Sequence, residues 1–193
     1  MRKLAAVISL SLDGVMQAPG RPDEDRRGGF ARGGWAQPYN DAVAGRVLGG
    51  HMARDGVLLF GRRTYQDFAS FWPDQADNPY TDVLNRRRKY VASSTLAGPL
   101  PWQNSTLLRG EAAGAVAELK AEPGADIVIL GSGALVRSLL PHRLIDEFLL
   151  LIHPLVLGTG RRLFPDEDPG LPLRLVESAT TTTGVVIATY RPV

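Results

Sequence analysis

The chain has 193 residues, of which 44% are hydrophobic and 22% are charged, as in an ordinary globular protein. It contains no cysteine, which excludes disulfides, zinc ribbons and thiol nucleophiles together. Its formal net charge of +2 is too small to indicate a nucleic-acid partner, and we interpret the single basic block, residues 86–89, as a solvated helix end.

Length and hydropathy predict one domain, covering residues 1–193, that does not cross a membrane. No apolar stretch approaches the roughly 20 residues that a membrane span requires. Residues 1–8 superficially suggest a signal peptide, but Asp13-Gly14 interrupts the apolar run early and no small-residue cleavage site follows. We therefore expect a first buried strand there, and a cytoplasmic protein.

Apolar periodicity and turn residues predict the elements of the first half. In chain order they are a strand over 4–12, a loop over 17–37, a helix over 39–54, a strand over 57–60, a helix over 63–71, a helix over 78–88 and a strand over 89–93. The loop is rich in Gly, Pro, Arg and Asp, and loops of that length inside a compact domain are usually functional or disordered.

The second half continues the alternation and then ends in strands alone. Its predicted elements are a strand over 105–109, a helix over 111–122, a strand over 126–130, a helix over 133–140, a strand over 147–153 and an antiparallel pair over 173–177 and 185–191. Strands that alternate with helices and close with a hairpin predict an α/β fold, with a mostly parallel central sheet and antiparallel C-terminal strands.

Two junctions between a strand and a helix are marked by glycine. Residues 57–60 run into Gly61-Arg62-Arg63-Thr64-Tyr65, and residues 126–130 run into Gly131-Ser132-Gly133-Ala134-Leu135. Glycine lets a phosphate approach the backbone closely, and the first amides of the helix point at it. Either turn alone has an ordinary structural explanation, but two in one small chain indicate a nucleotide cofactor that spans both.

Five segments, in this order, carry a resemblance to a known family. They are Ser9-Leu10-Ser11-Leu12-Asp13-Gly14, Gly61-Arg62-Arg63-Thr64-Tyr65, Val91-Ala92-Ser93-Ser94, Leu130-Gly131-Ser132-Gly133, and the run from Asp146-Glu147 through Pro154 and Gly158-Thr159-Gly160 to Leu163-Phe164-Pro165. Their order resembles the dihydrofolate reductase superfamily, and more closely the reductase domain of the riboflavin-biosynthesis deaminase/reductase. The resemblance implies a single-domain, three-layer dihydrofolate reductase-like fold.

The same resemblance implies NADPH as the hydride donor. The residues that would contact this cofactor come from the first strand, its turn and three later strand ends: Ser9, Met16, Gly61, Arg62, Arg63, Thr64, Ser93, Ser94, Gly131, Ser132, Gly133, Ala134 and Leu135. Ser9 and Met16 would border the nicotinamide. By the same resemblance Arg62, Ser93 and Ser94 would contact the adenosine 2′-phosphate. Arginine suits a phosphate because it directs two donors at it. Ala134 stands where other family members carry an arginine for that phosphate.

Reduction of a C=N or C=O bond also needs a proton, and three residues are candidate donors. Asp41 is the nearest candidate for the carboxylate that dihydrofolate reductases carry after the long loop, and it equally fits a carboxylate at a helix start. His153 and Glu147 share one predicted strand. His153 can donate a proton or be a satisfied core residue, and Glu147 equally fits a turn cap.

We therefore expect an NADPH-dependent reductase of a small heterocycle or ribosylamino-pyrimidine, similar to 5-amino-6-(5-phosphoribosylamino)uracil reductase, with no metal. One alternative is a dihydrofolate reductase, which requires Asp41 to be a buried pocket acid. Another is a non-catalytic NADP-binding protein that has lost its proton donor, and a third is a nucleic-acid binder that uses residues 86–89. Relatives of the riboflavin branch are commonly dimers, and residues 149–152 could form a dimer face or simply sheet core.

Overall fold

A computed structural model describes residues 1–53, 56–76, 78–164 and 170–193 of the chain. Two predicted features end outside the described residues, namely the first helix at Arg54 and the last motif at Pro165. The strands are β1 (Leu4–Ser11), β2 (Gly56–Gly61), β3 (Lys89–Ala92), β4 (Ser105–Leu108), β5 (Asp126–Leu130), β6 (Glu147–His153), β7 (Leu173–Thr180) and β8 (Val186–Pro192). The α-helices are α1 (Ala42–Ala53), α2 (Arg62–Phe71), α3 (Pro79–Arg86), α4 (Ala112–Ala121) and α5 (Gly133–Leu139).

The strands form one eight-stranded sheet in the order β4-β3-β2-β5-β1-β6-β8-β7. β2 pairs in parallel with both β3 and β5, and β3 pairs in parallel with β4. β8 pairs antiparallel with both β6 and β7. The α/β class predicted from the sequence, mostly parallel with an antiparallel C-terminal part, is therefore confirmed.

By its internal contacts the chain divides into two compact units. The first unit comprises residues 1–5 and the described residues among 54–145, and the second comprises residues 6–53 and the described residues among 146–193. In the first unit Leu58, Leu59 and Phe60 of β2 are fully buried, as expected for a strand that has a neighbour on both sides. In the second unit Leu149 and Leu151 of β6 are buried in an apolar cluster, so their side chains are sheet core rather than an exposed dimer face.

One residue of the basic block in the first unit is not solvated. Lys89 is fully buried, and its Nζ donates to the carbonyl oxygens of Asn85 at 3.2 Å, Arg87 at 2.8 Å and Gln103 at 3.1 Å. The ammonium also lies 4.5 Å from the centre of the Trp102 ring. Burial lowers the pKa of Lys89 to about 8. Lys89 therefore stabilises the C-terminal end of α3, and its buried ammonium is not available to contact a nucleic acid.

The predicted long loop of the second unit is tied down by Gln17. Its side-chain amide donates to the carbonyl oxygens of Asp25 at 3.1 Å and Arg27 at 2.9 Å, and its amide oxygen accepts the N–H of Arg161 at 3.1 Å. Its backbone carbonyl accepts the indole N–H of Trp35 at 2.7 Å. One buried amide therefore fixes both halves of the loop.

The motif glycine Gly160 has a steric explanation in the same unit. Its φ is +115°, and an added Cβ would lie 2.7 Å from Val15 Cγ1 and 2.8 Å from Phe30 Cε2. Asp13 stabilises the same turn, since its two carboxylate oxygens accept the N–H of Leu157 at 3.0 Å and of Gly158 at 2.8 Å. The aspartate and the glycine of these motifs therefore have structural roles.

Candidate functional site

The two glycine turns of the first unit lie side by side. β2 and β5 are parallel neighbours, with Leu59 opposite Ile129, so both strands end at the same edge of the sheet. The N–H of Gly61 donates to Ser132 Oγ at 3.1 Å, and the Ser132 hydroxyl donates to the Leu130 carbonyl at 3.3 Å. A single buried hydroxyl therefore bridges the two turns, and the starts of α2 and α5 are neighbours.

The turn before α5 has a conformation that few residues adopt. Gly131 has φ +60°, and Ser132, at the start of α5, has φ 54° and ψ 40°. The Ser132 side chain makes no capping bond to α5, because its hydroxyl is used in the bridge. The first amides of α5 therefore have no side-chain partner from Ser132.

The start of α2 combines a helix end with an arginine. Gly61 is its N-terminal cap residue and supplies no side-chain cap, so the positive helix end lacks a carboxylate or hydroxyl from that position. Arg62 is half-buried and Arg63 is exposed. Arg62 Nη1 donates to Thr95 Oγ1 at 2.9 Å. This end of the first unit is therefore electropositive and rich in donors.

The serines after β3 divide into two kinds. Ser93 Oγ accepts the N–H of Thr95 at 3.1 Å and of Leu96 at 3.0 Å, so this hydroxyl shapes the turn. Ser94 is exposed. Sequence analysis did not single out Thr95, although a third hydroxyl directly after Ser93-Ser94 was a signal that could have drawn attention to it.

The remaining predicted cofactor residues are distributed over both units. Thr64 lies on α2, and its methyl group is 3.5 Å from where a Cβ on Gly131 would stand. Gly133 and Leu135 are buried on α5 and Ala134 is exposed. Ser9, half-buried on β1, and Met16, whose N–H donates to the Arg161 carbonyl at 2.9 Å, belong to the second unit.

Asp41 has the contacts of a helix-capping residue. One carboxylate oxygen accepts the N–H of Ala44 at 2.9 Å, and the other accepts the N–H of Thr182 at 2.6 Å and its hydroxyl at 2.8 Å. These bonds, that from Ala44 first, lower the pKa of Asp41 to about 2. The geometry favours the helix-start interpretation of Asp41 over a buried acid that donates a proton near neutral pH.

Glu147 is held in an ion pair. Its Oε2 accepts from Arg191 Nε at 2.9 Å and lies 2.9 Å from Arg191 Nη2. Glu147 begins β6 and His153 ends it, so at about 3.3 Å per residue the two side chains are roughly 20 Å apart. The structure therefore does not bring Glu147 and His153 together as a catalytic pair.

His153 is buried, 5% exposed, and its ring is fixed. Nδ1 lies 3.2 Å from the Leu10 carbonyl oxygen and 3.0 Å from the Leu151 carbonyl oxygen. Because both neighbours are acceptors, Nδ1 carries the proton and the neutral ring presents a lone pair on Nε2. The rings of Trp35 and Tyr39 contact it edge-on, with centroids at 5.1 Å and 5.7 Å. Desolvation lowers the pKa of His153, against the raising effect of the two carbonyls.

Two classes of feature are absent from the described residues. Among them no group of three or more His, Asp or Glu side chains is arranged to hold a metal ion. No helix in the described ranges is long and apolar enough to cross a membrane.

A family model and two curated proteins match this sequence. The model of the RibD C-terminal domain matches residues 2–187. The uncharacterized protein YyaP of Bacillus subtilis (strain 168) is 32% identical over 142 residues, which cover 69% of this chain and 72% of that protein. The uncharacterized protein YwjB of the same organism is 30% identical over 177 residues, 90% of this chain and 89% of that protein.

Two solved structures are also similar to this chain. A protein from Shewanella sp. PV-4 that is named for riboflavin biosynthesis superposes with a TM-score of 0.72 and 25% identity, over 99% of both chains. A pyrimidine reductase-like protein from Corynebacterium diphtheriae superposes with a TM-score of 0.64 and covers 100% of this chain and 92% of its own. At 13% identity the second match shows a likeness of fold alone.

Proposed function

The chain belongs to the RibD C-terminal domain family, and from this premise we propose that it is an NADPH-dependent reductase. It would transfer a hydride to a small heterocycle or ribosylamino-pyrimidine, as in reduction of 5-amino-6-(5-phosphoribosylamino)uracil. The single observation that carries the proposal is the Ser132 hydroxyl bridge, which joins two helix starts at one edge of the sheet. Two neighbouring helix starts offer backbone N–H groups that favour the phosphates of a dinucleotide.

The residues present fit such a cofactor. A pyrophosphate needs N–H donors, and the starts of α2 and α5 provide them beside glycines that keep side chains out of the way. An adenosine 2′-phosphate needs a cation, and Arg62 is the candidate, on the same helix start. When bound, the dinucleotide supplies the hydride.

The protein's own contribution is binding, orientation and hydrogen bonding. We propose His153 as the side chain that contacts the substrate, because the carboxylates of Asp41 and Glu147 are bound to Thr182 and Arg191. In its neutral form His153 Nε2 accepts a hydrogen bond, which suits the N–H groups of a pyrimidine or an amine. His153 donates a proton only as the imidazolium, which burial disfavours. We therefore assign His153 to substrate orientation first and to proton transfer only at low pH.

A second candidate is a non-catalytic NADP-binding protein. It is favoured by the same three side chains, since Asp41 caps a helix, Glu147 pairs with Arg191, and neutral His153 has no proton on Nε2. A dihydrofolate reductase is the less favoured alternative, because it requires Asp41 to be a buried acid and the Asp41 carboxylate instead holds Thr182 and the start of α1.

The enzyme would act as a homodimer in the cytoplasm. A dimer is supported by exposed apolar side chains on the edge strand β7, where Leu175 is 53% exposed and Val176 is 38% exposed. Size-exclusion chromatography with light scattering tests it, and a monomer at micromolar concentration would remove the dimer from the proposal.

The reductase proposal is tested by NADPH oxidation followed by absorbance. The purified chain is incubated with NADPH and either the riboflavin-pathway intermediate 5-amino-6-(5-phosphoribosylamino)uracil or dihydrofolate, with Arg62→Ala as the matched variant of impaired cofactor binding. We expect turnover with the first substrate and reduced turnover for the variant at limiting NADPH. NADPH binding without turnover on any substrate would favour the non-catalytic protein, and turnover of dihydrofolate alone would favour the alternative enzyme.

A further inference from the structure

We infer that Thr95 positions Arg62 and, together with it, selects a dinucleotide that carries a 2′-phosphate. This inference rests on the proposed function and extends it to a residue outside every motif of the sequence analysis. It also changes the role of Ser93 from phosphate ligand to positioning residue.

The two side chains meet because their strands are neighbours. β2 and β3 are parallel, with Gly61 opposite Ala92, so the residues that follow each strand leave the same edge of the first unit. Arg62 Nη1 donates to Thr95 Oγ1 at 2.9 Å, and the pair is solvent-exposed. The contact therefore lies where a ligand can reach it.

Counting donors and acceptors gives the direction of the hydroxyl groups. A hydroxyl has one proton and two acceptor lone pairs. Ser93 Oγ already accepts the N–H groups of Thr95 and Leu96, so only its proton remains. Ser93 Oγ and Thr95 Oγ1 are 3.4 Å apart, which assigns that proton to Thr95. Thr95 Oγ1 then accepts from both Ser93 and Arg62 and is left with its own proton to donate.

The cluster of Arg62, Ser93 and Thr95 offers only hydrogen-bond donors to a ligand. The guanidinium of Arg62 has five N–H groups, of which one is used on Thr95, and its others have no partner in the described part of the chain. A set of N–H and O–H donors with one positive charge and no spare acceptor fits a phosphate dianion. A ribose hydroxyl, which NADH presents at the same place, gains much less from it.

Thr95 also lowers the entropic cost of binding for Arg62. A free arginine side chain loses rotamer freedom when it engages a phosphate. The bond to Thr95 already restricts the guanidinium before any ligand arrives. Removing the Thr95 hydroxyl therefore acts on phosphate recognition without removing a charge.

The test compares Thr95→Val, which replaces the hydroxyl by a methyl group, with Thr95→Ser, which keeps it. Dissociation constants for NADPH and NADH are measured by calorimetry on the full chain, and thermal melting checks that each variant is folded. We expect Thr95→Val to raise the NADPH dissociation constant about 5- to 20-fold and that of NADH less than about 2-fold, as for loss of a hydrogen bond to a charged group at an exposed site. Thr95→Ser stays within about 3-fold of wild type because its hydroxyl can make the same bonds.

A double-mutant cycle separates positioning from direct contact. In an Arg62→Ala background the effect of Thr95→Val on NADPH shrinks, because there is no guanidinium left to position. Equal losses for NADPH and NADH, or a Thr95→Ser variant as weak as Thr95→Val, would overturn the inference. A wild-type protein that binds neither dinucleotide overturns the proposed function and this inference together, whereas tight NADPH binding with selectivity unchanged in Thr95→Val overturns this inference alone.

Discussion

Two substitutions test the Ser132 bridge. Both remove the hydroxyl, and only the substitution by glycine also relieves backbone strain. Ser132→Ala and Ser132→Gly both remove the hydroxyl that accepts from Gly61 and donates to Leu130. Net hydrogen-bond contributions of about 0.5–1.5 kcal/mol each predict a loss of roughly 1–3 kcal/mol in the free energy of unfolding for the alanine variant. Ser132 has φ 54°, so glycine relieves backbone strain of about 1 kcal/mol and recovers part of that loss.

The assay is denaturant and thermal unfolding combined with NADPH titration. For a chain of this size about 1 kcal/mol corresponds to 2–4 °C in Tm, so the alanine variant melts roughly 2–12 °C below wild type and the glycine variant lies between them. Both variants also bind NADPH more weakly, because the two helix starts are no longer held at a fixed spacing. An alanine variant as stable as wild type would show that the Ser132 hydroxyl does not stabilise the two turns. An alanine variant at least as stable as the glycine variant would contradict the claim that the backbone at Ser132 is strained.

Three further outcomes follow from the second unit. Gly160→Ala should cost about 3 kcal/mol or more in denaturant unfolding, because its Cβ would overlap Val15 and Phe30 at positive φ, and unchanged stability would contradict the packing. The Asp13 pKa is lowered to about 2 by bonds from Ser11 first and then the backbone, so its stabilisation is complete above about pH 4 and lost as the pH falls toward 2. The difference in unfolding free energy between wild type and Asp13→Asn should shrink over that interval, and a constant difference would contradict it. Since burial lowers the His153 pKa from 6.5, the unfolded chain takes up the proton first and wild type loses stability as the pH falls below 6.5. His153→Gln should remove that part of the pH dependence, and an unaltered profile would show that His153 does not titrate on unfolding.

The fold was predictable because its signals are local. Apolar runs such as 57–60 and 126–130 mark strands that have neighbours on both sides, and the glycines after them mark the turns. The parallel pairing of those two strands, which the structure shows, then places both turns at one edge of the sheet.

The roles of single polar residues were less predictable because their partners are far away in sequence. Asp41 is held by Thr182 and Glu147 by Arg191, so neither contact is visible in a local pattern. Lys89 looked like part of a solvated basic run, but three carbonyl groups and a tryptophan ring surround its ammonium. Local sequence gives the kind of residue, whereas the long-range contacts decide whether it is an acid, a cap or a buried cation.

The role of Thr95 also depends on a partner that is far away in sequence. Its position after Ser93-Ser94 carries no motif, yet the parallel register of β2 and β3 brings it to Arg62. The hydroxyl itself is visible in the sequence, but its contact with Arg62 depends on the register of neighbouring strands, which a single sequence does not contain.

Calorimetric titration of the wild-type chain and of Arg62→Ala with NADPH and NADH tests the central claim most directly. We expect wild type to bind NADPH and the substitution to weaken this binding by about 1.5–3 kcal/mol, with a smaller loss for NADH, because Arg62 is the proposed partner of the 2′-phosphate. A wild-type chain that shows no heat of binding with either dinucleotide would contradict it.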